Sequence, residues 1–296
     1  MAPAHRAIQL VNVFTFEGQG GNLAPIVLDA EGLTDREMRD VALRHQRESA
    51  FARVADEDSG ADFDLRFFVP EHEMEMCGHA TVGTAWLMHN SGFKDKSGLK
   101  FSTKSGTVRT RHVEKDGQME VFVSQPEGTV EDISDEALIE ETLSVLGIRS
   151  PQLAGRNLQN ACTSRVKTVI PIKDVGTLDN LQPDFARVKN VCEKLGSTGL
   201  YPYAIVQDQD ENAPVKVEAR QFPKASGYPE DAATGIAAAA LSYALAANGV
   251  LHLGQEALVY QGRAMGFLSQ IVVQLEQDGC WVGGTCALET LPSSIL

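Results

Sequence analysis

Apolar positions come in short dense runs at the start of the chain, and their period changes as it proceeds. IQLVNVFTF, Ile8 to Phe16, reads as a strand. EGQGGN, Glu17 to Asn22, is a glycine-rich turn, and LAPIVLD follows as a second strand. LTDREMRDVALRHQ then switches to a helical repeat, with apolar residues at Leu33, Met38, Val41 and Ala42. Thr34 and Glu37 stand at the spacing of a capping box. ESAFARVAD and FDLRFFVP read as strands, the second closed by Pro70, and an apolar helix runs from CGHAT to about His89. From Lys100 the chain alternates as antiparallel strands around the turn Lys115-Asp116-Gly117.

The second half repeats this grammar. DEALIEETLSVLG predicts a short helix after a connector over residues 127–150. Arg165 to Ile170 and Tyr203 to Gln207 predict strands, and Asp179 to Leu195 predicts a helix interrupted near Pro183. VKVEARQFP, Val215 to Pro223, predicts another strand ending in proline. Pro70 precedes Ala80-Thr81 by ten residues, and Pro223 precedes Ala233-Thr234 by ten, so both pairs are offset by 153 (223 minus 70, 233 minus 80). In each half a strand, a loop and an apolar helix follow in order. The repeat predicts two similar domains of about half the chain each. If both helix N-termini point into one cleft, their unpaired first-turn amides make a cradle for a carboxylate.

Composition narrows the function. A net charge of −14 argues against nucleic acid and against an anionic membrane surface, because both require a basic footprint. A small anionic substrate remains compatible. The five cysteines Cys77, Cys162, Cys192, Cys280 and Cys286 form no C-x-x-C and no compact metal-ligand cluster, so no metal is expected. The N-terminus has no apolar core of signal-peptide type, and the apolar stretch Ala237 to Ala247 is too short to cross a bilayer. A reduced, cytoplasmic protein is the expectation.

Four residues carry candidate chemistry. His79 opens the first apolar helix, where a helix N-terminus disfavours imidazolium; its bland alternative is a cap or a satisfied core imidazole. Asp231 precedes the second helix, with simple capping as its alternative. Cys77 could be half of a two-base racemase, but the second half offers PEDAAT where a matching cysteine would be needed. Packing is therefore the stronger reading of Cys77. Glu48, between a helix and a strand, reads on its own as a solvated acid.

Five ordered motifs change that weighting. VNVFTFEGQGGNLAPIVLDAEGLTDREM, RESAF, LRFFVPEHEMEMCGHATVGTA, ARQFPKASGYPEDAATGIAAAAL and YQGRAMGFLSQI together resemble the phenazine-biosynthesis isomerase-like (PhzF-like) family. The resemblance implies an α+β protein with a diaminopimelate-epimerase-like fold: two pseudo-symmetric domains, each a β-barrel-like sheet wrapped around a central helix. The domain boundary falls near 125, giving 1–125 and 126–296, and the last strand is able to cross back to the first domain. The resemblance implies that Glu48 moves the proton, that His79 and Asp231 share its pocket, and that Ser49, Cys77, Gly78 and Gly235 contact substrate. It implies a cofactor-independent isomerase and a homodimer, the best-characterised member acting on trans-2,3-dihydro-3-hydroxyanthranilate. Alternatives are an epimerase of an amino-acid-like substrate, with Cys77 as one base, and a non-catalytic small-molecule-binding protein. This chain departs from the family pattern at Asn12, Ala232, Ile236 and Gly266-Phe267-Leu268-Ser269.

Overall fold

The structure is a computed structural model that describes residues 6–93, 97–206, 213–277 and 279–289. The chain divides into two compact units, one of residues 1–124 with 283–296 and the other of residues 125–282. The first unit contains β1 (Gln9–Thr15), β2 (Asn22–Val27), α1 (Asp35–His45), β3 (Ser49–Val54), β4 (Phe63–Phe68), β5 (Glu73–Met74), α2 (Gly78–Asn90), β6 (Lys100–Thr103), β7 (Gly106–Lys115) and β8 (Gln118–Gln125). The second contains β9 (Thr129–Asp132), α3 (Glu136–Leu146), β10 (Gln159–Cys162), β11 (Val166–Pro171), α4 (Val175–Asp179), α5 (Phe185–Leu195), β12 (Gly199–Val206), β13 (Val215–Ala219), β14 (Phe222–Pro223), α6 (Gly235–Ala247), β15 (Glu256–Gln261) and β16 (Ser269–Glu276). The last strand, β17 (Gly279–Leu288), begins among the residues of the second unit and ends among those of the first.

In the first unit β1 pairs antiparallel with β2, β2 parallel with β3, β3 antiparallel with β4, β4 parallel with β6, and β6 antiparallel with β7. β7 pairs with β8, and β17 pairs with both β8 and β1, which closes the sheet into a ring. Closure removes the open edge that a sheet would otherwise expose. The ring wraps α2, which packs on β1, β2, β3 and β7. α2 is apolar on nearly every side, as an interior helix must be. Gly83 sets the closeness of that packing: a Cβ there would lie 2.9 Å from Val13 Cγ2 and 3.0 Å from Ile26 Cδ1. Outside the ring, α1 lays Met38 and Ala42 on Val27, Phe51 and Phe68. Its start is the expected capping box, with Thr34 N donating to Glu37 Oε2 at 2.8 Å and Glu37 N donating to Thr34 Oγ1 at 3.3 Å.

The second unit repeats the same sequence of pairings. β10–β11 is antiparallel, β11–β12 parallel, β12–β13 antiparallel, β13–β15 parallel and β15–β16 antiparallel. α6 lies against β9, β10, β11 and β16. α3 and α5 cover the other face with a core of Leu143, Leu146, Val188, Val191, Ile170, Leu200 and Phe222. Among the described residues, no helix is long and apolar enough to cross a membrane.

Three sequence expectations are corrected. The predicted helix Asp179 to Leu195 is two helices, because Asp184 N turns to donate to Val145 O on α3 and Pro183 has no N–H to continue a helix. The predicted strand Val215 to Pro223 is β13 and β14, interrupted where Gln221 pairs instead with Asp231. The strand expected at Tyr203 to Gln207 is longer at its start, Gly199–Val206, and Gln207 lies outside the described residues.

The register of the internal repeat is corrected too. α2 and α6 each have thirteen residues and start at Gly78 and Gly235, an offset of 157 (235 minus 78) rather than 153. Ala80-Thr81 therefore lies inside its helix, whereas Thr234 is the residue preceding α6. The counterpart of Cys77 is Thr234, and that of Asp231 is Met74. Asp231 is neither the cap of α6 nor the positional equivalent of His79.

Candidate active site

Two similar devices hold the approach to each central helix. Arg66 forks onto Glu73, with Nε to Oε1 at 2.7 Å and Nη2 to Oε2 at 2.8 Å, and lies 5.0 Å over the Phe68 ring. Arg220 forks onto Glu230 at 2.9 and 2.8 Å and lies 5.0 Å over the Phe222 ring. Both glutamates stand five residues before the first residue of their helix. The Arg66 fork is the main reason that the Glu73 carboxyl is held below the usual carboxylate range. These pairs have bidentate, charge-assisted geometry and fix the loops from which the central helices start.

In the first unit the candidate residues sit at two places, the start of β3 and the start of α2. Glu48 is half-buried and immediately precedes β3. Its carboxylate makes no hydrogen bond or ion pair within the described residues, so the fold places no demand on it. Ser49, the first residue of β3, is fully buried, and its Oγ donates to Arg47 O at 3.2 Å. β3 is one of the strands that carry α2. At the helix start Cys77 provides no side-chain cap, leaving the amide of Gly78 without an intrahelical acceptor. Cys77 Sγ stands 3.4 Å from His79 Nδ1, so thiol and imidazole form a contact pair at this helix end.

In the second unit the start of α6 is a polar cluster. Asp231 accepts from the Thr234 hydroxyl through Oδ2. Gln261, fully buried, ties the cluster together. Its Nε2 donates to Asp231 O at 2.7 Å and to Thr234 Oγ1 at 3.2 Å, and its Oε1 accepts from Thr234 N at 3.3 Å and from Tyr201 OH at 3.1 Å. Burial, and secondarily the Asp231 charge, push the Tyr201 phenol well above its ordinary range, so it stays a neutral donor. Gly235 follows as the first residue of α6, with no side-chain cap before it. Ile236 is half-buried in the first turn.

Sequence reading missed Lys167, Gln221, Gln261 and Tyr201. Lys167 is 5% exposed. Burial is the main cause that lowers its ammonium from 10.5 to about 8; Asp231 and Cys192 act upward and Arg165 downward. The available signal was a lysine inside the apolar strand VKTVIP. A folded-state pKa below the unfolded one means that the folded protein releases a proton more readily than the unfolded chain. The resulting penalty is therefore present below about pH 8 and disappears as pH rises through 10.5. Lys167→Met is expected to raise unfolding stability at pH 7 by about 3 kcal/mol, as one pKa unit is about 1.36 kcal/mol. Urea unfolding checks this, and the gain should shrink toward pH 10.5.

Among the described residues no group of three or more His, Cys, Asp or Glu is placed to hold a metal. The first unit offers a carboxylate, an imidazole, a thiol and an uncapped helix end, and the second a carboxylate and an uncapped helix end; groups of these kinds suit proton transfer on an anionic organic molecule.

Comparison with known proteins gives a consistent picture. Residues 11–287 match the family described as phenazine biosynthesis-like protein. An uncharacterized isomerase from Deinococcus radiodurans is 32% identical, over 97% of this chain and 94% of its own. The trans-2,3-dihydro-3-hydroxyanthranilate isomerase of Pseudomonas aeruginosa is 27% identical, over 93% of this chain and 92% of its own. The solved structure of a Bacillus anthracis phenazine biosynthesis protein of the PhzF family superimposes with a TM-score of 0.83 at 24% identity, covering 96% of each chain. That likeness carries the fold: helix-centred β-barrel units of matching topology, as expected from the sequence.

Proposed function

The chain belongs to the phenazine biosynthesis-like protein family of isomerases, with its diaminopimelate-epimerase-like fold, and we propose that it moves a proton and a double bond on a small cyclic carboxylate, with Glu48 as the acid and base. The observation that carries this reading is the uncommitted carboxylate of Glu48 beside β3, one of the strands that pack on α2, the helix with the uncapped start. Glu48 takes a proton from one ring carbon and returns it to another, the double bonds shifting between them, so substrate and product have the same composition. His79 and Asp231 serve as donors and relays, while Ser49, Gly78 and Gly235 position the substrate. No metal or organic cofactor takes part, and the family resemblance adds a homodimer.

The substrate class rests on the kinship with the Pseudomonas aeruginosa enzyme. Incubation of the protein with trans-2,3-dihydro-3-hydroxyanthranilate, followed by absorbance and by mass spectrometry of the products, tests it. Consumption at a catalytic rate is the expected result. An inert substrate at high enzyme concentration would remove this compound and require other small carboxylates.

The contact between Cys77 Sγ and His79 Nδ1 favours a second reading, an epimerase in which the thiol is one of two bases. Cys77→Ala separates the two. The isomerase reading expects Cys77→Ala to stay within a few-fold of wild type, whereas a catalytic thiol would lose roughly 10²-fold or more.

A further inference from the structure

We propose that Lys167 and Gln221 form an anion-anchoring pair in the second unit, beside the start of α6, that takes the carboxylate of the substrate. The inference rests on the isomerase reading for the identity of the ligand as a substrate, and on its own geometry for the site.

Alternation along the strands sets the direction of both side chains. Thr168 Oγ1 donates to Asn160 Oδ1, and Asn160 in turn donates to Leu195 O on α5. Ile170, Leu200 and Phe222 belong to the core under α3 and α5. Their neighbours Lys167, Val169, Tyr201 and Gln221 therefore turn to the opposite face. Tyr201 identifies that face, because its hydroxyl reaches Gln261, which bonds the backbone N–H of Thr234 at the start of α6. Gln221 is also joined to the segment that carries Asp231, with Asp231 N donating to Gln221 O at 3.0 Å.

Both side chains have spare polar capacity in a buried place. Gln221 is 1% exposed, and neither Nε2 nor Oε1 has a hydrogen-bond partner. Its amide lies over Gly199, where a Cβ would be 2.2 Å from Nε2. The Lys167 ammonium makes no hydrogen bond or ion pair to any described residue. Buried polar groups are normally satisfied, and a buried amide with no partner on either atom, on the same sheet face as Lys167, calls for a ligand.

The fold itself does not need them. Arg66 and Phe68 match Arg220 and Phe222, so the counterpart of Gln221 is Phe67, which is fully buried. Ile26 pairs with Ala50 as Val169 pairs with Tyr201, so the counterpart of Lys167 is Ala24, also fully buried. By the same register the counterpart of Glu48 is Gly199. Where the first unit has its proposed acid and an apolar floor, the second has a glycine flanked by two donors. An ammonium and an amide N–H₂ are suited to a carboxylate, and the uncapped N-terminus of α6 adds favourable potential. The charged or titratable groups that act on Lys167 are Asp231, Arg165 and Cys192.

The test uses full-length protein labelled with ¹³Cε-lysine and the probes 2-aminobenzoate and 2-aminobenzamide, with Lys167→Arg and Lys167→Met assigning the Lys167 resonance. In the free protein this resonance should titrate near pH 8. Saturating 2-aminobenzoate should move its midpoint upward by about one unit or more, and the amide should not. Affinity for the acid should fall about tenfold or more in Lys167→Met and fall in Gln221→Leu, with affinity for the amide unchanged. A Lys167 titration indifferent to the acid, no binding of the acid by wild type, or undiminished affinity in a folded Lys167→Met protein would each overturn the anchor. Glu48→Gln should retain the whole response. A Lys167 response without any turnover would thus sink the isomerase assignment alone, and turnover without the response would sink the anchor alone.

Discussion

Glu48→Gln lowers kcat by on the order of 10²–10⁴-fold, the usual range for removing a positioned general acid–base, and leaves KM within a few-fold. The substitution keeps the size and hydrogen-bonding reach of the side chain and deletes only its capacity to accept and return a proton. Structural damage is not an alternative cause, because the Glu48 side chain has no hydrogen bond or ion pair to any described residue. Thermal melting should therefore coincide with wild type. Steady-state kinetics on a turned-over carboxylate reads the effect. Wild-type kcat in Glu48→Gln would transfer the proton to another group, with Cys77 and His79 at 3.4 Å the first candidates. If a bound but unconverted ligand were all that wild type showed, the binding-protein alternative would stand.

Arg220→Met destabilises the protein by about 3–5 kcal/mol, the range for leaving one partner of a buried ion pair alone. The Arg220 and Glu230 side chains are 9% and 10% exposed, so little solvent reaches the orphaned carboxylate. Arg220 also donates through Nη1 to the carbonyls of Leu178, Asp179 and Leu181 at 3.2 to 3.3 Å, closing the end of α4. Lysine cannot reproduce this fork, and Arg220→Lys should recover only part of the loss. Urea unfolding at pH 7 measures both variants. Because Glu230 adjoins Asp231, the damage should reach the site as well, with activity falling in the protein that remains folded. A loss under about 1 kcal/mol would show that the pair is not a stability determinant.

Elements were legible in the sequence wherever local chemistry and tertiary packing agree. Thr34 and Glu37 announce α1 because their capping box closes within four residues of chain. Lys115-Asp116-Gly117 announces the β7–β8 hairpin because Asp116 and Gly117 both adopt positive φ there. The central helices were legible as runs apolar on every side. Misreadings fell where long-range bonds decide. The turn between α4 and α5 depends on the bond from Asp184 to Val145, and the break between β13 and β14 depends on the bridge from Gln221 to Asp231. The Ala-Thr dipeptides placed the repeat four residues out of register, because helix starts follow Gly78 and Gly235 rather than that short match.

At the candidate site, motif resemblance pointed to Glu48, His79 and Asp231, and the structure adds their surroundings. It pairs His79 with Cys77 and ties Asp231 to Thr234 and Gln261. No motif pointed to Gln221, and for Lys167 the one hint was its place inside the apolar run VKTVIP. A single lysine in a strand reads as a solvent-facing position, and only the turn of Thr168 toward Asn160 shows that Lys167 faces the other way.

Proton transfer by Glu48 is read out by proton NMR in D₂O, with trans-2,3-dihydro-3-hydroxyanthranilate and wild-type and Glu48→Gln proteins run in parallel. Wild type should convert the compound with deuterium entering a ring carbon, and Glu48→Gln should do neither. Conversion with equal deuterium incorporation by both proteins would contradict proton transfer by Glu48.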